Sequence, residues 1–109
     1  MKLLLTPQAQ PDLLGIRKYI ENELQSPQAA QSTVEQITKR LRTLTDFPGL
    51  GTPLSSIINT ETDYRYLVCK NHKAFYRFNS EAVYIIRILH NRRDFVKILF
   101  GETKDTNNL

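Results

Sequence analysis

Two apolar stripes at helical spacing, separated by only two residues, limit the folds open to this chain more than any other feature. Leu13, Ile16, Ile20 and Leu24 recur at three and four residues, and so do Ala30, Val34, Ile37, Leu41 and Leu44. Each helix is announced by the same pair of signals. Thr6-Pro7 and Ser26-Pro27 both put a hydroxyl at the N-cap and proline at the first helical position, where its missing N–H costs nothing. With Gln25 and Ser26 as the whole connection, the helices must double back as a hairpin. A hairpin with one apolar stripe needs a partner layer.

The partner layer is written in period two. Lys2 to Thr6 reads as a short strand ahead of the helices. After Phe47-Pro48-Gly49-Leu50-Gly51 ends the second helix, a mostly small and polar loop follows, with Leu54, Ile57 and Ile58 as possible anchors. Tyr64–Lys70, Lys73–Asn79 and Ala82–Leu89 then read as three strands, with tight turns at Asn71-His72 and Asn79-Ser80-Glu81. Ala82–Leu89 is almost continuously apolar, the pattern of a central strand buried on both faces. Phe95 to Phe100 reads as a short helix or strand, and residues 101–109 as a polar tail beyond a single domain of residues 1–100. The expected architecture is α+β, in the order β-α-α-β-β-β. The helical hairpin covers one face of a four-stranded, mainly antiparallel sheet, and the other face is left free for basic side chains. By parity, Arg87 shares a face with Val83, Ile85 and Leu89.

Charge is divided unevenly along this order. Residues 1–63 hold six Lys/Arg against seven acids, whereas residues 64–100 hold eight against two. The strand-rich half is therefore the one suited to an acidic partner, nucleic acid or protein. Several chemistries are poorly served. The lone Gly49-Leu50-Gly51 pair lacks the strand–helix setting of a phosphate loop, and His72 and His90 without acidic helpers do not make a zinc site. Cys69 alone excludes an internal disulfide and reads as a small buried hydrophobe. No cofactor or metal is expected. No stretch nears the ~20 apolar residues needed to cross a bilayer. The start is too quickly interrupted for a secretory signal, so a cytoplasmic protein without membrane attachment is expected.

One constellation could do chemistry: His90, Arg92 and Arg93 after the third of these strands, with Arg65, Lys73, Arg77 and Arg87 upstream. Arginine forks hold phosphate, and histidine moves protons near neutrality. Together they could cleave RNA through attack of a 2′-OH, or they could form a docking surface. Arg93-Asp94 reads as a local ion pair at the strand end, and His72 as a solvated turn residue.

Several blocks resemble the RelE/ParE toxin superfamily of bacterial type II toxin–antitoxin systems. They are Thr6-Pro7-Gln8-Ala9-Gln10-Pro11-Asp12-Leu13, Phe47-Pro48-Gly49-Leu50-Gly51, Tyr64-Arg65-Tyr66-Leu67-Val68, Phe75-Tyr76-Arg77 and, most specifically, Ile86-Arg87-Ile88-Leu89-His90-Asn91-Arg92-Arg93-Asp94-Phe95. The resemblance implies the same β-α-α-β-β-β fold. It also implies a toxin held inactive in a hetero-oligomer by a cognate antitoxin with an acidic, partly disordered segment. RelE-like members cleave mRNA on the ribosome, whereas ParE-like members poison DNA gyrase and are not known as nucleases. The His90–Asp94 block and the Phe47–Gly51 loop are of the ParE-like form. Lys73 falls where RelE-like members place arginine, and Phe95 fills an aromatic position without a hydroxyl. If the chain is a nuclease, the catalytic set is His90, Arg65, Arg77 and Arg87. In either case Lys73, Arg87, Arg92, Arg93 and Phe95 are the expected contacts with target or antitoxin. A basic nucleic-acid-binding module without toxicity is the plainer alternative.

Overall fold

A computed structural model describes residues 1–101. Strand β1 (Lys2–Leu5) leads into helix α1 (Ala9–Leu24) and helix α2 (Pro27–Arg42). Strands β2 (Thr52–Pro53), β3 (Arg65–Cys69), β4 (His72–Phe78) and β5 (Ala82–His90) follow, and helix α3 (Phe95–Phe100) closes the order.

The hairpin forms for the reasons its sequence gives. Ser26 Oγ accepts from the Ala29 N–H at 3.1 Å, and Pro27 opens α2. Gln25 makes the reversal in the left-handed region, with φ of 48°. Ile37, Leu41 and Leu44 are buried in the core with Leu67, Ala74, Tyr76, Val83, Ile85 and Ile88 of the sheet, and Ala30 is buried as well. Each fully buried aliphatic chain is worth about 1.5–3 kcal/mol of transfer free energy. The stripe of α1 is only half-buried, and its last member, Leu24, is exposed. α1 starts later than expected: its N-cap is Gln8, so Thr6 stands two residues ahead of the cap and Pro7 lies outside the helix. Thr6 still receives the Ala9 N–H on Oγ1 at 3.2 Å while donating to the Ile86 carbonyl at 2.9 Å. The hydroxyl thus joins the helix start to β5.

The sheet has five strands, not four, in the order β1-β5-β4-β3-β2. The added strand is the two-residue edge β2, paired with Tyr66 and Arg65. It is too short to show alternation, and its proline is tolerated because it lies at an edge. β1 runs parallel to β5 and the other pairings are antiparallel, and β5 contributes to clusters on both faces, as its apolar run predicted.

Two further expectations are corrected. Register skips Ile86: Tyr76 pairs with Ile85 but Phe75 pairs with Arg87. This irregularity turns the strand, so Val83 and Ile85 face the helices while Leu89 joins a separate cluster with Phe75 and Leu54. Nor is the second sheet face free. Phe95, Ile98 and Leu99 of α3 pack there with Ile58, Tyr64 and Tyr66, and Phe95 stacks on Phe75 at 5.1 Å. Asp94 caps α3 by accepting from the Lys97 N–H at 3.2 Å, the role it takes in place of the expected pairing with Arg93. Gly101 ends α3 with φ of 81°, and the rest of the expected tail lies outside the described residues.

The loop after α2 is pinned from below. The Tyr76 hydroxyl, buried in the core, donates to the Pro48 carbonyl at 2.7 Å and accepts from the Gly51 N–H at 2.9 Å. A Cβ at Gly51 would fall 2.6 Å from both the Tyr66 carbonyl oxygen and the Tyr76 hydroxyl, whereas one at Gly49 would meet nothing within 4 Å. Gly51→Ala is therefore expected to destabilise by about 1–3 kcal/mol, and Gly49→Ala to leave the urea midpoint nearly unchanged. Equal midpoints for the two variants would show that close approach at Gly51 does not matter.

Candidate functional site

The expected catalytic set is not assembled. His72 pairs with His90 at one end of the β4–β5 ladder, and Arg77 pairs with Tyr84 at the other. Five residues along β4 put Arg77 about 17 Å from the histidine end, at ~3.4 Å per residue. Arg65 lies beside Tyr76, near the Arg77 end, and Arg87 lies between, opposite Phe75.

Each of these arginines is already occupied. Arg65 donates from Nη1 to the carbonyls of Gly51 at 2.7 Å and Gly49 at 3.2 Å, reinforcing the loop that Tyr76 holds. Arg77 pairs with Asp63 at 2.7 Å and lies over the Tyr64 ring. Arg87 makes a two-pronged pair with Asp12, Nε to Oδ2 at 2.7 Å and Nη2 to Oδ1 at 2.9 Å. The same Asp12 Oδ2 accepts from the Ile88 backbone N–H at 2.9 Å. β1 pairs with β5 only as far as Ile85, so Asp12 supplies the acceptor that a longer β1 would have provided. The only local signal for Asp12 in the sequence is an acid in the first turn of a helix.

At the histidine end the sequence-predicted residues do converge. Lys73 donates from Nζ to Asn91 Oδ1 at 3.2 Å and sits over the Tyr66 ring. His90 is exposed, and its Nδ1 accepts from the Arg92 N–H at 3.1 Å. Arg92 and Arg93 are exposed in the turn between β5 and α3, while Phe95 is half-buried in the second cluster. The tight turn is Lys70-Asn71, not Asn71-His72, because His72 is drawn into the ladder opposite His90. The two rings meet edge to face at 5.3 Å, and His72 Nδ1 is buried with no hydrogen-bond partner among the described residues. Burial, and secondarily the charge of His90, holds the His72 pKa below its ordinary value. Cys69 is likewise inert: burial raises its pKa to about 11, so it stays a thiol. No group of three or more His, Cys, Asp or Glu suited to a metal ion occurs among the described residues, and none of their helices is long and apolar enough to cross a membrane.

This arrangement of helical hairpin and mixed sheet is an α+β fold that recurs in known structures. A solved structure titled as a chromosomal ParDE toxin–antitoxin system from P. aeruginosa superposes with a TM-score of 0.68, at 24% identity, over 83% of this chain and 95% of that one. A family model described as the ParE toxin of the type II toxin–antitoxin system, parDE, matches residues 3–95, and the chain belongs to that family. A search of curated proteins finds no match.

Two expectations follow from the site. Asp12→Ala strands both the Arg87 guanidinium and the Ile88 N–H, and should cost about 2–3 kcal/mol by chemical denaturation. Asp12→Asn keeps an acceptor for the N–H and should lose clearly less, so equal losses would discount the backbone contact. The second concerns pH. The His72 pKa is lower folded than unfolded, so between the two values the unfolded state binds the extra proton. The stability that neutral His72 contributes is full above about pH 6.5 and declines as pH falls below it. Urea midpoints of wild type should drop from pH 7.5 to 5.0, and His72→Gln should flatten that dependence. An unchanged slope in the variant would exclude His72 as its source.

Proposed function

We propose that this chain is the toxin of a type II toxin–antitoxin pair, that an acidic, partly disordered antitoxin neutralises it, and that it acts by inhibiting DNA gyrase through binding. The observation that carries this reading is the dispersal of the nuclease set. A general acid or base must share reach of one phosphate with the cations that stabilise its charge. Here His90 and Arg77 stand at opposite ends of a ladder, and Arg65, Arg77 and Arg87 are engaged by protein groups. Membership of the ParE toxin family supports the toxin class. The similar structure belongs to a ParDE toxin–antitoxin system, which supports an antitoxin partner with which this chain would form a hetero-oligomer. Proteins of this kind act on cytoplasmic machinery, so a cytoplasmic site of action belongs to the same reading.

Purified full-length chain should block supercoiling by gyrase in a plasmid assay, while ribosome-bound mRNA stays intact by primer extension. His90→Ala should leave that block in place. Normal supercoiling in excess toxin would remove the gyrase reading. Codon-positioned cuts that vanish in His90→Ala would replace it with ribosome-dependent mRNA cleavage.

A further inference from the structure

We propose that the two adjoining turns at the histidine end, Lys70-Asn71 and Asn91–Arg93, form a contact site for the phosphate backbone of duplex DNA. The inference deepens the gyrase reading, since gyrase holds duplex DNA while it works.

The turns are built as one unit. The Asn91 N–H donates to the Asn71 carbonyl at 2.9 Å, which locks the β3–β4 turn beside the β5–α3 turn. Arg93 donates its N–H to the His90 carbonyl at 2.9 Å, and Arg92 donates its own to His90 Nδ1. Lys73 holds the Asn91 side chain from the adjacent strand. Lys70 adopts φ of 58°, the left-handed conformation of a tight turn.

What this frame presents is positive charge with nothing to answer it. The side chains of Lys70, Arg92 and Arg93 are exposed and have no partner among the described residues. The neighbouring acid, Asp94, is turned to the α3 cap. The other cations of the strand-rich half are different: Arg65, Lys73, Arg77 and Arg87 are held by groups of the protein itself, and Lys97 has a partner of its own. The excess of basic residues in this half thus comes to a head at three side chains on two locked turns.

The chemistry of the patch selects its occupant. Residues 70, 71 and 90–93 are Lys, Asn, His, Asn, Arg and Arg, with no apolar side chain among them, and all six are exposed. A polypeptide that orders on binding gains from burying apolar groups, and these turns offer none. Exposed apolar side chains lie outside the turns, with Leu4, Leu14, Tyr19 and Leu24 on β1 and α1 and Val68 on β3. Phosphate needs what the turns provide: guanidinium forks, an ammonium and side-chain amides on a rigid backbone.

The test is fluorescence anisotropy of the full chain with a labelled 20-bp duplex, across a salt series. A triple variant, Lys70→Gln with Arg92→Gln and Arg93→Gln, is compared with a charge-matched control, Lys2→Gln with Lys18→Gln and Lys39→Gln. The site variant should bind at least about tenfold more weakly at 0.1 M salt. Its slope of log K against log salt should fall by about 2–3, from ~0.9 per phosphate lost, while the control stays within about threefold of wild type. Equal weakening in both variants, or no duplex binding by wild type at low salt, would overturn the site. So would loss of binding to a labelled polyglutamate peptide with duplex binding retained, since that would assign the turns to an acidic protein. Gyrase inhibition is scored separately on the wild type. Inhibition without duplex binding defeats only this inference, and duplex binding through these residues without inhibition defeats only the gyrase reading.

Discussion

The carboxylate of Asp12 is the joint on which the sheet and the helices depend together. It lies in the first turn of α1, where the helix dipole favours an acid, and it reaches β5 just where β1 has stopped pairing. One oxygen satisfies the Ile88 N–H, and both hold the Arg87 guanidinium. The skipped residue Ile86 lies directly before this point. Thr6 adds a bond to the Ile86 carbonyl from the chain segment between β1 and α1. An irregularity in a strand leaves backbone groups without ladder partners, and here α1 and its lead-in supply them. The packing of α1 on the sheet is therefore partly polar, which fits a helix whose apolar stripe is only half-buried.

The arrangement of helices and long strands was legible because each rests on a period repeated over several residues. α2 is the clearest case: Ala30, Ile37 and Leu41 are buried where spacing puts them, Val34 is half-buried, Leu44 is buried just past the helix end, and the Ser26-Pro27 start is observed. Features decided by single residues were not legible. β2 is two residues with a proline, so it carries no alternation. The face change in β5 leaves no trace in Val83–Leu89, because a strand apolar on both sides reads the same in either register. α3 is six residues long, too short for its period to show that Phe95, Ile98 and Leu99 cover the second sheet face. His72 was misplaced for a related reason. Asn71-His72 and Lys70-Asn71 are equally plausible turns by composition, and the ladder contact with His90 decides between them.

For the candidate site, sequence counts the basic residues of the strand-rich half, and only the structure shows what each one touches. Counting charges treats every arginine alike, whereas folding divides them into those that hold the protein together and those that remain available. Arg87 and Arg65 do structural work, one on Asp12 and the other on the Gly49 and Gly51 carbonyls, and neither partner is near in sequence. Phe95 is similarly drawn into the cluster around Phe75. Lys70 moved the other way. β3 ends at Cys69, so Lys70 falls in the turn, which the Asn71 carbonyl ties to the Asn91–Arg93 turn.

This sorting bears on how a fold of this kind can change its activity. A phosphate-cleaving centre on the sheet would need several cations released from protein partners and gathered near one proton-transfer group. In this chain, releasing Arg87 would leave the Asp12 joint with a charge unpaired, and releasing Arg65 would loosen the Pro48–Gly51 loop. Both carry a stability cost, because removing one member of a partly buried pair strands the other. The two turns are under no such restraint. Their backbones are fixed by bonds among themselves, and the side chains of Lys70, Arg92 and Arg93 contribute nothing to the interior. Recognition can therefore vary at the turns while the joint at Asp12 stays constant, and a binding role costs this fold far less stability than a catalytic one.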